Sequence, residues 1–148
     1  VNFEVAVCLP RDAETVALLR RVVTDALDAF GVVPDCTDDI RLALSEACSN
    51  VIEHAEDDDE YEVRVEVDEH RCALRVRQSG DGFDMSALAE VMPAPDSQRG
   101  RGIAMMRALM DRVEFRIDAD QTTVLLVKAL EFDPDGPLAR LRRDNAQQ

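Results

Sequence analysis

The chain has 148 residues, 46% hydrophobic and 32% charged, with a formal net charge of −14. That length suits one domain with a proper core, and the acidic balance excludes a direct nucleic-acid-binding role, because no basic patch stands out to neutralise phosphates. No apolar run approaches bilayer length and no charged N-region precedes an apolar stretch, so the expectation is a cytoplasmic protein without membrane attachment.

Residues 2–9 alternate polar and apolar side chains (Phe3, Val5, Val7, Leu9), the pattern of a half-buried strand that Pro10 ends. Asp12 is placed to cap a helix over 13–30, with Val16, Leu19, Val23, Leu27 and Phe30 along one face and Gly31 as its stop. Leu18 and Val22 on the same helix read as core rather than interface. After Pro34, Thr37 or Asp38 can cap a second helix running to about residue 55, burying Ile40, Leu44, Ala47 and Val51.

The acidic run 56–60 reads as a solvated loop. Residues 61–67 and 72–76 alternate with period two around a hairpin turn at 68–71. A Gly- and Pro-containing stretch follows over 79–102, with one short helix near 86–91; a loop of that length is usually functional or disordered. Residues 103–110 are predicted helical, and strands at 113–117 and 123–129 close a second hairpin. Pro134, Gly136 and Pro137 then set off a polar tail, which gives two segments, 1–132 and 133–148. The order β-α-α-β-β-loop-α-β-β reads as α+β: a two-layer sandwich of one mixed, mostly antiparallel sheet with helices on one face. Cys8, Cys36, Cys48 and Cys72 form no CxxC pair and read as buried thiols in a reducing compartment.

Three segments carry chemistry. On the second helix, Glu46, Asn50 and His54 recur at i, i+4 and i+8 and share one edge. A carboxylate followed one turn later by a carboxamide can hold a hydrated divalent cation beside a proton acceptor; the alternative is a solvated helix edge. The second segment is Ser79-Gly80-Asp81-Gly82-Phe83-Asp84, directly after a strand. The third is Ser97-Gln98-Arg99-Gly100-Arg101-Gly102-Ile103-Ala104-Met105-Met106, a glycine-rich turn opening a helix. Its glycines let backbone approach an anion, helix-terminal amides point toward it, and Arg99 and Arg101 can meet phosphate oxygens. A flexible basic loop is the plainer reading of that third segment.

In this order and spacing the segments resemble the N, G1 and G2 boxes of the GHKL (Bergerat-fold) ATPases. More narrowly, they are similar to the anti-sigma factor serine kinases of the RsbW/SpoIIAB type. The resemblance runs from about residue 2 to 130, on Glu46-Ala47-x-x-Asn50-x-x-x-His54-Ala55, on Gly82-Phe83-Asp84, and on Gly100-Arg101-Gly102-Ile103-x-Met105-Met106-x-x-Leu109-Met110-Asp111. It implies a Bergerat ATP-binding fold, ATP and Mg²⁺ as cofactors, and a role for each position. Asn50 would ligate Mg²⁺, and Glu46 would be the general base toward a serine hydroxyl of a protein substrate. Gly80 and Gly82 would border the adenine pocket, Gly100 and Gly102 would close on the phosphates as part of a mobile lid, and Thr122 or Thr123 would stand near the adenine. His54 is read as a packed or helix-ending residue.

One position departs from that pattern. Where the family has the Asp that accepts a hydrogen bond from the adenine amino group, this chain has Gln78, neutral and one methylene longer. The partners the resemblance implies are an alternative sigma factor, an anti-anti-sigma protein of the STAS type, and a second copy of the chain as a homodimer. Two other readings remain: a catalytically silent partner-switching module with an eroded nucleotide site, and a detached ATPase domain of another switch.

Overall fold

A computed structural model describes residues 2–53, 60–79, 98–118 and 121–148. His54, Gly80, Asp81, Gly82, most of the acidic loop and the short helix expected near 86–91 lie outside the described residues. Among the described residues, five strands and four helices follow in the order β1 (Asn2–Pro10), α1 (Ala13–Phe30), α2 (Pro34–Glu53), β2 (Glu60–Asp68), β3 (Arg71–Ser79), α3 (Gln98–Leu109), β4 (Arg112–Asp118), β5 (Gln121–Ala129) and α4 (Pro137–Ala146).

The strands form one sheet in the order β1-β2-β3-β5-β4, and all four pairings are antiparallel. Strict alternation gives the sheet one apolar face. Tyr61, Val63, Val65 and Val67 of β2, Cys72, Leu74 and Val76 of β3, and Val124 and Leu126 of β5 are buried on it. Against that face α2 contributes Ile40, Ala43, Leu44, Ala47, Cys48 and Val51, with α1 packed on one flank and α3 on the other. The result is the two-layer α+β sandwich, helices on one side of the sheet.

Local signals account for the ends of most elements. Asp12 accepts a hydrogen bond from the Glu14 amide at 2.9 Å and caps α1. Gly31, at φ 82°, closes it: Gly31 N donates to Asp28 O and Val32 N to Leu27 O, the two bonds of a Schellman motif. The β2–β3 turn is held by Asp68, whose Oδ1 accepts from the amides of His70 and Arg71 at 2.7 and 2.8 Å. Those two bonds favour the carboxylate and hold its pKa below the ordinary value.

Several expectations need correction. Helix α2 begins at Pro34, so Thr37 lies inside the helix and is buried, not capping. Proline at the first position suits a helix start, since its missing N–H would be unpaired there. Leu18 and Val22 are not core: they are 54% and 44% exposed. Helix α1 sits over the edge strand β1, and nothing among the described residues covers its outer side. Cys36, Cys48 and Cys72 are buried thiols, but Cys8 is exposed, because it falls on the solvent face of β1.

The C-terminal segment returns to the body of the fold. Val33 N donates to Glu131 O and Asp133 N to Gly31 O, and α4 buries Leu138. Arg142 pairs with Glu69 of the β2–β3 turn at 2.8 Å, which holds the Glu69 carboxyl below its ordinary pKa.

Candidate functional site

Helix α2 is the axis of the site. Its apolar positions Ala43, Ala47 and Val51 are buried toward the sheet, while Glu46 and Asn50, one turn apart, are half-buried on an adjacent edge. The flanking helix α3 meets that edge with a glycine. A Cβ on Gly102 would lie 2.7 Å from Glu46 Oε2 and 3.6 Å from its Cδ, so the carboxylate rests directly against the α3 backbone. The first and third motifs, 56 residues apart in sequence, thus meet at one point (46 to 102).

Helix α3 starts at Gln98, five residues before the expected position. The glycine-rich turn is therefore the first turn of the helix itself, with Gly102 buried and Arg101 exposed. Arg99 and Gly100 belong to the same turn; their side-chain surroundings lie outside the described residues. Glycines at 100 and 102 weaken helix propensity, which hid this start. The far end of α3 is clamped. Lys128 Nζ donates to Leu109 O at 2.7 Å and to Asp39 Oδ2 of α2 at 3.0 Å, and Ala129 N donates to Asp111 Oδ2 at 2.6 Å. Burial works against the Lys128 ammonium, yet the bond to Asp39 and the nearby carboxylates outweigh it and raise its pKa. The clamp ties α3 to both α2 and β5, and so sets the approach of Gly102 to Glu46.

The sheet supplies the floor. Gln78 pairs in register with Tyr61 on β2 and with Thr122 on β5. All three are buried on the helix-facing side, at 4%, 1% and 3% exposure. Thr123 lies on the opposite face, in register with Arg77 and Arg116, so of the two threonines only Thr122 shares the side of Gln78, Glu46 and Asn50. Thr122 Oγ1 is buried and has no hydrogen-bond partner among the described residues. A buried hydroxyl left unsatisfied costs free energy, about 1–3 kcal/mol, unless something bonds to it.

Sequence reasoning missed one further group. Tyr61 Oη lies 2.6 Å from Thr15 Oγ1, whose hydroxyl reaches Asp12 O at 2.6 Å. The Cys48 thiol of α2 interacts electrostatically with the same phenol. Burial pushes both Cys48 and Tyr61 up to about 12, so each stays protonated at neutral pH. The bonds tie β2 to the start of α1, and Cys48 brings α2, midway between Glu46 and Asn50, against them. The available signal was that the only tyrosine of the sequence opens the strand beside Gln78.

The arrangement has what a phosphate-bearing ligand needs: a carboxylate and a carboxamide on one helix edge, a helix N-terminus beside them, and an unsatisfied buried hydroxyl in the floor. Residues 9–128 match the histidine kinase-like ATPase domain family. The serine-protein kinases RsbW of Halalkalibacterium halodurans and Bacillus thuringiensis are 29% and 28% identical to the chain over 134 and 133 residues, covering 84% and 83% of it and 82% of each relative. Among solved structures, the RsbU and RsbW domains of a Mycobacterium tuberculosis protein superpose with a TM-score of 0.66 at 19% identity, over 86% of this chain and 32% of that one. The SiaB–SiaC complex from Pseudomonas aeruginosa gives 0.61 at 11% identity, over 83% of this chain and 88% of its counterpart. At such identities these two show a shared fold. With a match running from the end of β1 through β5 and spanning Glu46, Asn50, Gln78 and Gly102, the chain belongs to the histidine kinase-like ATPase domain family.

Proposed function

We propose that the chain is an anti-sigma factor that binds ATP with Mg²⁺, sequesters an alternative sigma factor, and phosphorylates a serine of an anti-anti-sigma protein of the STAS type. The observation that carries this reading is the contact between Glu46 and Gly102, which puts a carboxylate beside the glycine-rich helix start. Support for the kinase step comes from the serine-protein kinases RsbW among its relatives. Support for partner binding comes from the neighbour solved as the SiaB–SiaC complex. With its buried free thiols, the chain is suited to the reducing cytoplasm.

When bound, ATP with Mg²⁺ supplies the phosphoryl group and neutralises charge during its transfer. The residues of this chain do the rest. Asn50 would hold the cation through its amide oxygen. Gln78 and Thr122 would meet the base from the sheet, the amides and arginines at 99–102 would be the groups for the phosphates, and Gly80 and Gly82 are the positions assigned to the base pocket by resemblance. Glu46 would accept the proton of the serine hydroxyl as that oxygen takes the phosphoryl group and ADP leaves. The tight seat against Gly102 limits where that carboxylate can point. A homodimer is part of this proposal.

Calorimetric titration of the full chain with ATP·Mg²⁺ tests it, with Asn50→Ala as control. Binding with Kd on the order of micromolar, lost in Asn50→Ala, is the expected outcome. Absence of binding would reduce the chain to a partner-switching module that works without nucleotide.

A further inference from the structure

The helix-facing positions of β2, β3 and β5 are apolar except for Tyr61, Gln78 and Thr122 in one cross-strand row and Lys128 at the far end of β5. No carboxylate stands on that row. The Tyr61 phenol is already committed to Thr15. The two groups left to meet a ligand are the Gln78 carboxamide and the Thr122 hydroxyl, the latter buried without a partner among the described residues. Each can either donate or accept.

That chemistry bears on which base the pocket takes. A carboxylate only accepts, so at this position it would favour an exocyclic amino group and repel a carbonyl oxygen. A carboxamide presents an oxygen and an NH₂ side by side. In one orientation its oxygen accepts from the 6-amino group of adenine while its NH₂ donates to N1. Turned by half a rotation, its NH₂ donates to a 6-oxo group while its oxygen accepts from N1–H. The hydroxyl of Thr122 adapts in the same way by rotating its hydrogen. We propose that Gln78, with Thr122, makes this pocket accept 6-oxopurine as well as 6-aminopurine nucleoside triphosphates. The inference rests on the nucleotide-binding reading and adds its specificity.

The test is competitive displacement of a fluorescent ATP analogue from the full chain by ATP, inosine triphosphate and GTP, each with Mg²⁺. Inosine triphosphate changes the 6-position and N1 without adding the 2-amino group of guanine, so it probes the carboxamide directly. The expected result is ATP and inosine triphosphate binding within about thirty-fold of each other, against the roughly 10⁴-fold rejection of a site whose polar groups fit only one partner. In Gln78→Asp the gap should widen beyond about a hundred-fold in favour of ATP, because a carboxylate cannot donate to the 6-oxo group. Binding of ATP with inosine triphosphate weaker by more than about thirty-fold in the unmodified chain would overturn the specificity and leave the nucleotide site standing. An unchanged ratio in a folded Gln78→Asp would likewise remove Gln78 as its determinant. If no triphosphate displaces the probe or binds by calorimetry, the nucleotide reading itself fails. Should Gln78→Asp not fold, the comparison in the unmodified chain decides alone.

Discussion

The carboxylate of Glu46 occupies the space that a side chain at residue 102 would fill. Residue 102 must therefore lack a Cβ if the carboxylate is to keep its place. The obstacle is the far end of a flexible side chain, so a larger residue would move Glu46 and leave the helices where they are. Gly102→Ala should change stability by less than about 1 kcal/mol, since alanine also favours the helix. Phosphoryl transfer should fall by about a hundred-fold, the effect of a misplaced reacting group. Thermal melts and single-turnover phosphorylation of the protein substrate check the two halves. A variant of full activity would show that the seat of Glu46 does not matter.

Glu46→Ala removes the carboxylate outright. Phosphorylation should drop by about 10²- to 10⁴-fold, the usual weight of a general base. Binding of ATP and of the protein partners should persist, because the alanine leaves α2 and the Gln78–Thr122 floor intact. Phosphate incorporation and co-purification, measured on the same preparation, separate the two.

Much of this arrangement was legible in the sequence, and the rest was not for identifiable reasons. Capping at Asp12 and Gly31 and the buried stripe Ile40, Leu44, Ala47 and Val51 were readable because each depends on residues within a few turns. Leu18 and Val22 belong to an apolar helix face as pattern, but only the position of α1 over an edge strand leaves them exposed. Period two already puts Thr122 and Thr123 on opposite faces; which face holds the site follows from the register with Gln78. The start of α3 was obscured because its stability comes from packing on α2 and the Lys128–Asp39 clamp, not from propensity.

The buried acids predict behaviour in alkali. Tyr61 is raised from 10.0, and Cys48 and Cys72 from 9.0, each to about 12, chiefly by burial. All three have folded pKa values above their unfolded ones, so the unfolded chain loses these protons first. Their contribution to stability is fully present below pH 9 and is lost progressively as pH rises toward about 12. With one tyrosine in the chain, the absorbance of the phenolate follows Tyr61 alone. The phenolate signal should appear together with unfolding by circular dichroism. A phenolate that forms near pH 10 with the fold intact would contradict the burial of Tyr61.

Gly31 links the end of α1 to the C-terminal segment. Its φ of 82° is a left-handed conformation, and a Cβ there would meet Pro137 Cδ at 3.0 Å and Gly136 Cα at 3.3 Å. Alanine in that conformation costs about 1–2 kcal/mol by backbone strain alone, and the proline ring has to yield as well. The Asp133 N–H to Gly31 O bond and the buried Leu138 depend on the same approach. Gly31→Ala should therefore lower stability by about 2 kcal/mol and expose the segment around α4 to protease before the rest of the chain. The proposed nucleotide site should stay intact, because among the described residues no hydrogen bond or ion pair links Glu46, Asn50 or Gln78 to this corner. Chemical denaturation, limited proteolysis and ATP titration of the same variant check these outcomes. Loss of ATP binding at unchanged global stability would show that the C-terminal corner and the nucleotide site are coupled.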